Sequence, residues 1–224
     1  MNKKIISFSI WGSNPKYTVA AIENAKLQKT IYPEWTCRFY VDDTVPKDVI
    51  NSLLELNSEI VYMPRSDGNY GLFWRFEPLK DLTIERFIVR DTDSRLNIRE
   101  ATAVKEWEKS NLEFHIMRDN KEHRAFICGG MWGATSEFIK KIAPVYDIEL
   151  KKYLSNLTFY ELYKSRGKYF NTDQPFLWKY IWPRIINSHM AHIKDLPELR
   201  FTGRERLFPI ENPDGMFVGQ PIEI

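Results

Sequence analysis

Apolar residues in the first ninety positions fall into short blocks whose spacing alternates between two periods. Lys4–Trp11 is an apolar run of strand length, closed by the turn signal Gly12-Ser13-Asn14-Pro15. From about Tyr17 to Thr30, Val19, Ile22 and Ala25 return on one helical face. Thr36–Val41 reads as a second strand and ends at Asp42-Asp43. Pro46 opens a helix running to about Leu56, with Val49, Ile50, Leu53, Leu54 and Leu56 apolar. Glu59–Met63 is a third strand. The polar loop Ser66-Asp67-Gly68-Asn69 leads into a helix containing Phe73-Trp74-Arg75-Phe76, and Arg86–Val89 is a fourth strand. A βαβαβαβ order predicts a largely parallel, doubly wound α/β sheet.

The second half is less regular. Arg99–Ser110 is predicted helical, with Ala103, Val104 and Trp107 facing inward. Glu113–Met117 and Ala125–Cys128 are strand-like, and Gly129-Gly130-Met131-Trp132-Gly133 reads as a glycine-rich loop. Helices are expected at Glu137–Leu154, Phe159–Ser165 and Asp173–Tyr180, the last with Thr172 as N-cap and Pro175 in its first turn. The tail from Phe208 onward is rich in Pro and Gly and is expected to be irregular.

At 224 residues the default is one domain, here read as two halves, residues 1–95 and 96–224. Lys and Arg number 32 against 30 acids, a net of +2, which gives no support for bulk nucleic-acid binding. The two cysteines, Cys37 and Cys128, form no C-x-x-C pair, so a zinc or redox site is not indicated. The first apolar run is too short to span a bilayer and lacks a small-residue cleavage site. With no later run of transmembrane length, a cytoplasmic location is expected. Neither G-x-G-x-x-G nor a P-loop occurs, so a bound nucleotide would need another hold on its phosphates.

Residues 86–95, RFIVRDTDSR, offer one. A strand ends in Asp91 and Asp93, one residue apart. In open α/β sheets, ligands bind at the carboxyl ends of strands. Two carboxylates so close repel unless a cation or basic groups neutralise them. Hard oxygen donors suit Mg²⁺ or Mn²⁺, ions commonly shared with a substrate phosphate. A simple turn or N-cap also explains D-x-D. An EF-hand does not, because its fifth, sixth and twelfth loop positions are Arg95, Leu96 and Thr102.

Other candidates are more ambiguous. Among the histidines His115, His123, His189 and His192, a late one could complete a metal site, or each could be an ordinary core or surface residue. Asp173 stands at a helix start, where a carboxylate is favoured anyway. Asp119 follows a strand and could equally sit in a turn. Arg75 suits phosphate oxygens but could simply pair with Glu77 or Asp81. Trp132, between glycines, is a candidate to stack on a sugar ring.

Four blocks together resemble a known family. They are R-D-x-D-S-R at 90–95 with R-E at 99–100 and A-V-x-E-W at 103–107; H-x-x-R-D at 115–119 with His123 and G-G-M-W-G at 129–133; D-Q-x-F-L at 173–177 with W-P at 182–183 and His192; and F-V-G-Q at 217–220. This order resembles the GT-A glycosyltransferases of polysaccharide and capsule assembly in bacteria and large DNA viruses. The resemblance implies a GT-A, Rossmann-like, mostly parallel sheet flanked by helices. It also implies a UDP-sugar donor, Mn²⁺ or Mg²⁺, and a glycan acceptor for a hexosyl or deoxyhexosyl group. Asp93 and Asp91 would hold the metal, with His192 completing the shell and His189 as its rival. Trp11 and Tyr17 would seat the base and Thr92 the ribose, with Arg75, Gly130 and Trp132 along the donor. Asp173 and Asp119 would be the catalytic carboxylates. The D-Q pair with a late histidine ligand is similar to the retaining branch. A sugar nucleotidyltransferase would be expected to carry a glycine-rich basic signature near the first strand, where IWGSNPKY has a single Gly. A carbohydrate-binding protein on the same fold is the remaining alternative.

Overall fold

The computed structural model describes residues 3–164 and 167–222. Its first half follows the hydrophobic pattern closely. Strands β1 (Lys3–Ile10), β2 (Thr36–Val41), β3 (Glu59–Tyr62) and β4 (Ile84–Arg90) lie parallel in the order β4-β1-β2-β3. Helix α1 (Pro15–Ile31) joins β1 to β2, and α2 (Lys47–Glu55) joins β2 to β3. Asn14 caps α1 by accepting from the Lys16 N–H, and Pro15 sits where its missing N–H costs nothing. The segment Tyr70–Lys80 is a 3₁₀ helix and not an α-helix, with Pro78 inside it.

Beyond β4 come α3 (Ile98–Glu108), β5 (Phe114–Arg118), β6 (Met131–Thr135), α4 (Ser136–Ile142), α5 (Tyr146–Ser155) and α6 (Phe159–Leu162). A short hairpin, β7 (Tyr163–Lys164) and β8 (Gly167–Lys168), precedes α7 (Asp173–Phe176), a π turn (Leu177–Ile181), α8 (Trp182–Ile185), β9 (His189–Ile193) and β10 (Arg206–Leu207). The main sheet has eight strands in the order β10-β9-β5-β6-β4-β1-β2-β3. Only β6 runs against its neighbours β4 and β5.

Four expectations are corrected. The glycine-rich loop is shorter than expected, because Met131, Trp132 and Gly133 belong to β6. Gly133 is required there by close packing, since a Cβ would meet the Phe87 carbonyl at 2.6 Å. Ala125–Cys128 joins no ladder and is a bent connection between β5 and β6. The helix expected over 137–154 breaks into α4 and α5 around Pro144, which has no N–H to continue the helical bonds. The helix expected over 159–165 stops at Leu162 and gives way to β7, while Ser165 lies outside the described residues.

Side chains alternate across the sheet into two main cores, with a smaller third cluster in which Met117 and Met131 meet Phe208 and Val218 of the tail. Ile5, Phe87, Val89, Phe114 and Trp132 pack with the 3₁₀ segment, α4, α5 and α7. Ile6, Phe8, Phe39, Ile88 and Trp107 pack with α1, α2 and α3. Each large apolar side chain so buried contributes about 1.5–3 kcal/mol. On the first face Ser7 donates to the Arg75 carbonyl at 2.7 Å, which fixes the 3₁₀ segment against β1.

Candidate active site

Because β1, β2 and β4 are parallel neighbours, their carboxyl ends come out together and present Trp11, Asp42 and Asp91 along one rim. Asp91 leaves β4 on the face that carries the 3₁₀ segment. There its carboxylate pairs with one arm of the Arg75 guanidinium, whose other arm reaches Asp173 Oδ2 at 2.8 Å. Arg75 and Asp173 are buried, whereas the Asp91 side chain is 38% exposed. Two carboxylates thus share one buried cation. Burial pushes the Asp173 carboxyl upward, Arg75 opposes that shift, and the charge of Asp91 adds to it. The turn Gly129-Gly130 makes room for the cluster. A Cβ on Gly129 would overlap Asp173 Oδ2, and one on Gly130 would overlap Asp91 Oδ2. Gly130 therefore lies with its bare backbone directly against the Asp91 carboxylate.

Asp93 points to the other side of the loop and pairs with Lys16 Nζ at 2.8 Å, at the start of α1. Its carbonyl accepts from Ile222 N–H at 2.9 Å, and Ser94 bridges to Pro221, so the C-terminal tail runs beside the paired acids. Trp11 is half-buried, edge-on to Trp74 at 6.0 Å. Gly71 lies under its ring, where a Cβ would come within 2.5 Å. Tyr17 is 39% exposed at the first turn of α1, with Lys16 Nζ 5.5 Å from its ring centre. Trp11 and Tyr17 thus stand at the same rim as Asp91 and Asp93.

Several expected roles are not supported by the geometry. His192 is fully buried on β9, its Nδ1 2.8 Å from His115 Nε2 and its Nε2 3.4 Å from Glu106 Oε2. It is not brought to Asp91 and Asp93: among the described residues no group of three His, Cys, Asp or Glu could hold a metal ion. His189 contacts the Ile185 carbonyl at 3.0 Å and packs on Trp182, so it is no substitute. Trp132 is fully buried between Phe76, Phe87 and Phe114, and its ring is core, with no face left for a sugar. The Thr92 hydroxyl donates to the Ser9 carbonyl at 2.9 Å, toward β1 and not toward a ribose. Asp119 is buried against Arg99, with both oxygens at 2.8 Å, and also accepts from Val218 N–H at 2.9 Å. It anchors the tail.

Other residues at or near this rim had no specific role assigned from sequence, although His123 stood among the candidate histidines. Asp42 accepts from the Thr44 N–H and hydroxyl and from Ser66 N–H, while Gly12 N–H donates to Thr44 Oγ1 at 2.6 Å, which ties the ends of β1 and β2 together. His123 Nδ1 accepts from the N–H groups of Asp119 and Asn120 at 2.9 and 3.1 Å, leaving the proton of the neutral ring on Nε2. Burial lowers its pKa to about 4 against the pull of Asp119 and Asp91. Asn24, buried on α1, bonds the backbone of residues 92–96.

This fold is shared with solved structures. A glycosyltransferase involved in glycosylation of the major capsid of PBCV-1 superposes with a TM-score of 0.51, covering 85% of this chain and 81% of its own, at 14% identity. The fold is that of the GT-A glycosyltransferases. Glucosyl-3-phosphoglycerate synthase from Mycobacterium tuberculosis is similar in two crystal structures, each with a TM-score of 0.50 and 9% identity. They cover 86% and 88% of this chain and 70% and 74% of theirs, and the first is a complex with phosphoglyceric acid. No protein-family model and no curated protein matches the sequence. Among the described residues no helix is long and apolar enough to cross a membrane.

Proposed function

We propose that this protein is a metal-dependent glycosyltransferase that moves a hexosyl or deoxyhexosyl group from a UDP-sugar to a glycan acceptor. The observation that carries the proposal is the placement of Asp91 and Asp93 at the carboxyl end of β4 in a GT-A fold, with Lys16 and Arg75 as their present counter-charges. The Asp91 side chain is partly exposed and Asp93 is held by Lys16, which would have to release it; hard carboxylate oxygens suit Mn²⁺ or Mg²⁺. Asp91 and Asp93 would hold that ion, which when bound neutralises the departing nucleoside diphosphate.

The remaining tasks fall to side chains at the same rim. Trp11 and Tyr17 offer ring surface for the uracil. Lys16 is placed to turn from Asp93 to a phosphate oxygen. Arg75 holds Asp91 and Asp173 in fixed orientation, a form of preorganisation that costs nothing at the moment of reaction. Asp173 and Asp119 are both committed to guanidinium groups. That suits transfer with retention, which needs no strong base on the acceptor hydroxyl, and we assign that course. The acceptor approaches from the Asp173 side.

The deciding experiment is a calorimetric titration of UDP with and without Mn²⁺, followed by donor hydrolysis across UDP-, GDP- and TDP-sugars and NMR of the product anomer. UDP affinity that requires Mn²⁺, with turnover of a UDP-sugar, is the expected result. Binding of glycans with no metal-dependent UDP affinity would mark a carbohydrate-binding protein instead.

A further inference from the structure

Residues 91–97 leave the sheet, and the backbone groups of Thr92, Ser94 and Leu96 have no strand partner to bond. Buried backbone polar groups must be paired. A single side chain supplies all three partners. Asn24 Nδ2 donates to the Thr92 carbonyl at 3.0 Å and to the Ser94 carbonyl at 2.8 Å, and Asn24 Oδ1 accepts from Leu96 N–H at 3.1 Å. Asn24 is fully buried in the middle of α1, beside Ala20, Ala21 and Ala25. Its neighbours are small, so the helix approaches the loop closely. A carboxamide carries two donors and an acceptor on one planar group. Serine, aspartate and leucine at this point would each leave at least one buried backbone group unpaired.

The three bonds straddle Asp93. With both flanking carbonyls held inward by α1, the Asp93 carbonyl turns to Ile222 and its carboxylate to the rim. Two local bonds complete the frame, Thr92 Oγ1 to the Ser9 carbonyl and Ser94 Oγ to the Asp91 carbonyl, both at 2.9 Å. We infer that Asn24 is the positioning residue of the Asp91–Asp93 pair, setting the direction in which the two carboxylates face the metal and diphosphate. This rests on the reading of those carboxylates given above. Asn24 itself touches neither.

The same helix provides a control. Gln28, one turn further on, donates to the carbonyls of Tyr32 and Trp35 at 2.9 and 2.6 Å, a similar task far from the paired acids. The test compares Asn24→Ala, Asn24→Asp and Gln28→Ala with the wild type by amide hydrogen exchange, by Mn²⁺ titration in the presence of UDP, and by melting temperature. In Asn24→Ala the Leu96 amide, whose acceptor is lost, should exchange at least tenfold faster and half-saturation should need at least tenfold more Mn²⁺. Asn24→Asp should keep Leu96 protected, because its acceptor remains, while its Mn²⁺ requirement still rises. Gln28→Ala should lose melting temperature with neither readout changed. Unchanged exchange and Mn²⁺ requirement in Asn24→Ala, or equal changes in Gln28→Ala, would overturn the inference. Should Asn24→Ala fail to fold, Asn24→Asp decides it. A wild type with no Mn²⁺-dependent UDP affinity would sink the functional reading alone, and exchange would still report whether Asn24 holds the loop.

Discussion

Gly130 lies directly against the Asp91 carboxylate: a Cβ placed on it would overlap Oδ2 and stand 2.8 Å from the Asp91 backbone nitrogen. The constraint is steric, because Gly130 is not among the residues with positive φ. Gly130→Ala should therefore fold, at a cost of about 1–3 kcal/mol, and push Asp91 out of line. UDP affinity in the presence of Mn²⁺ should fall tenfold or more by calorimetry. Wild-type affinity in a folded variant would remove Asp91 from the donor site.

Asp173→Asn keeps the size of the side chain and its contact with Arg75 but removes the charge. Turnover should drop about a hundredfold or more with UDP affinity nearly unchanged, the pattern of an interaction made mainly in the transition state. Equal losses in both, measured by steady-state kinetics and calorimetry on the same preparation, would reduce Asp173 to a structural counter-ion of Arg75.

The burial of His192 between His115 and Glu106 makes its role one of stability. His192→Ala would leave the buried His115 Nε2 without a partner, a loss of about 1–3 kcal/mol. The Mn²⁺ concentration for half-maximal UDP binding should stay within twofold of wild type, whereas Asp93→Ala should abolish metal-dependent binding. A Mn²⁺ requirement raised as severely by His192→Ala as by Asp93→Ala would restore the histidine to the metal shell.

Trp132 packs against three phenylalanine rings with no exposed surface. Trp132→Ala should cost about 3–5 kcal/mol, seen as a lowered urea midpoint. A well-folded variant with only weakened sugar binding would show that the ring reaches the ligand after all.

All four histidines are held below the ordinary imidazole range, burial being the largest cause for each, and His123 falls to about 4. The unfolded chain then binds more protons than the folded one as pH drops below about 6.5. The stabilisation is complete above that value and is lost as pH falls from about 6.5 towards 4. The melting temperature should decline across that window, and less steeply in His123→Gln. A flat profile between pH 7 and 4.5 would mean that these rings are charged in the native state.

Much of the first half was legible from pattern because its elements are marked by local signals, although the strands they form pair across long stretches of sequence. Strand runs, the Pro-opened helix and the loop punctuation needed only the period of burial and the chemistry of Gly and Pro. The second half misled where packing set the structure. Met131-Trp132-Gly133 looks like a loop because glycine weakens strands, yet β6 needs a glycine where the Phe87 carbonyl approaches. The aromatic between glycines looked like a platform for a ligand, but its surroundings came from elements far away in sequence.

The site divides the same way. A strand running into two spaced carboxylates is a local statement, and the sequence by itself determined that Asp91 and Asp93 emerge at a strand end. Which groups meet them was decided by the tertiary structure. Arg75 and Asp173 are ninety-eight positions apart, and no periodicity links them. The chemistry of histidine suits a metal, so His192 could be nominated from composition, but only the register of β5 against β9 puts its ring beside His115. Asn24 was silent for the same reason: an amide in a helix shows its purpose only when the loop it bonds, some seventy residues later, is folded against it.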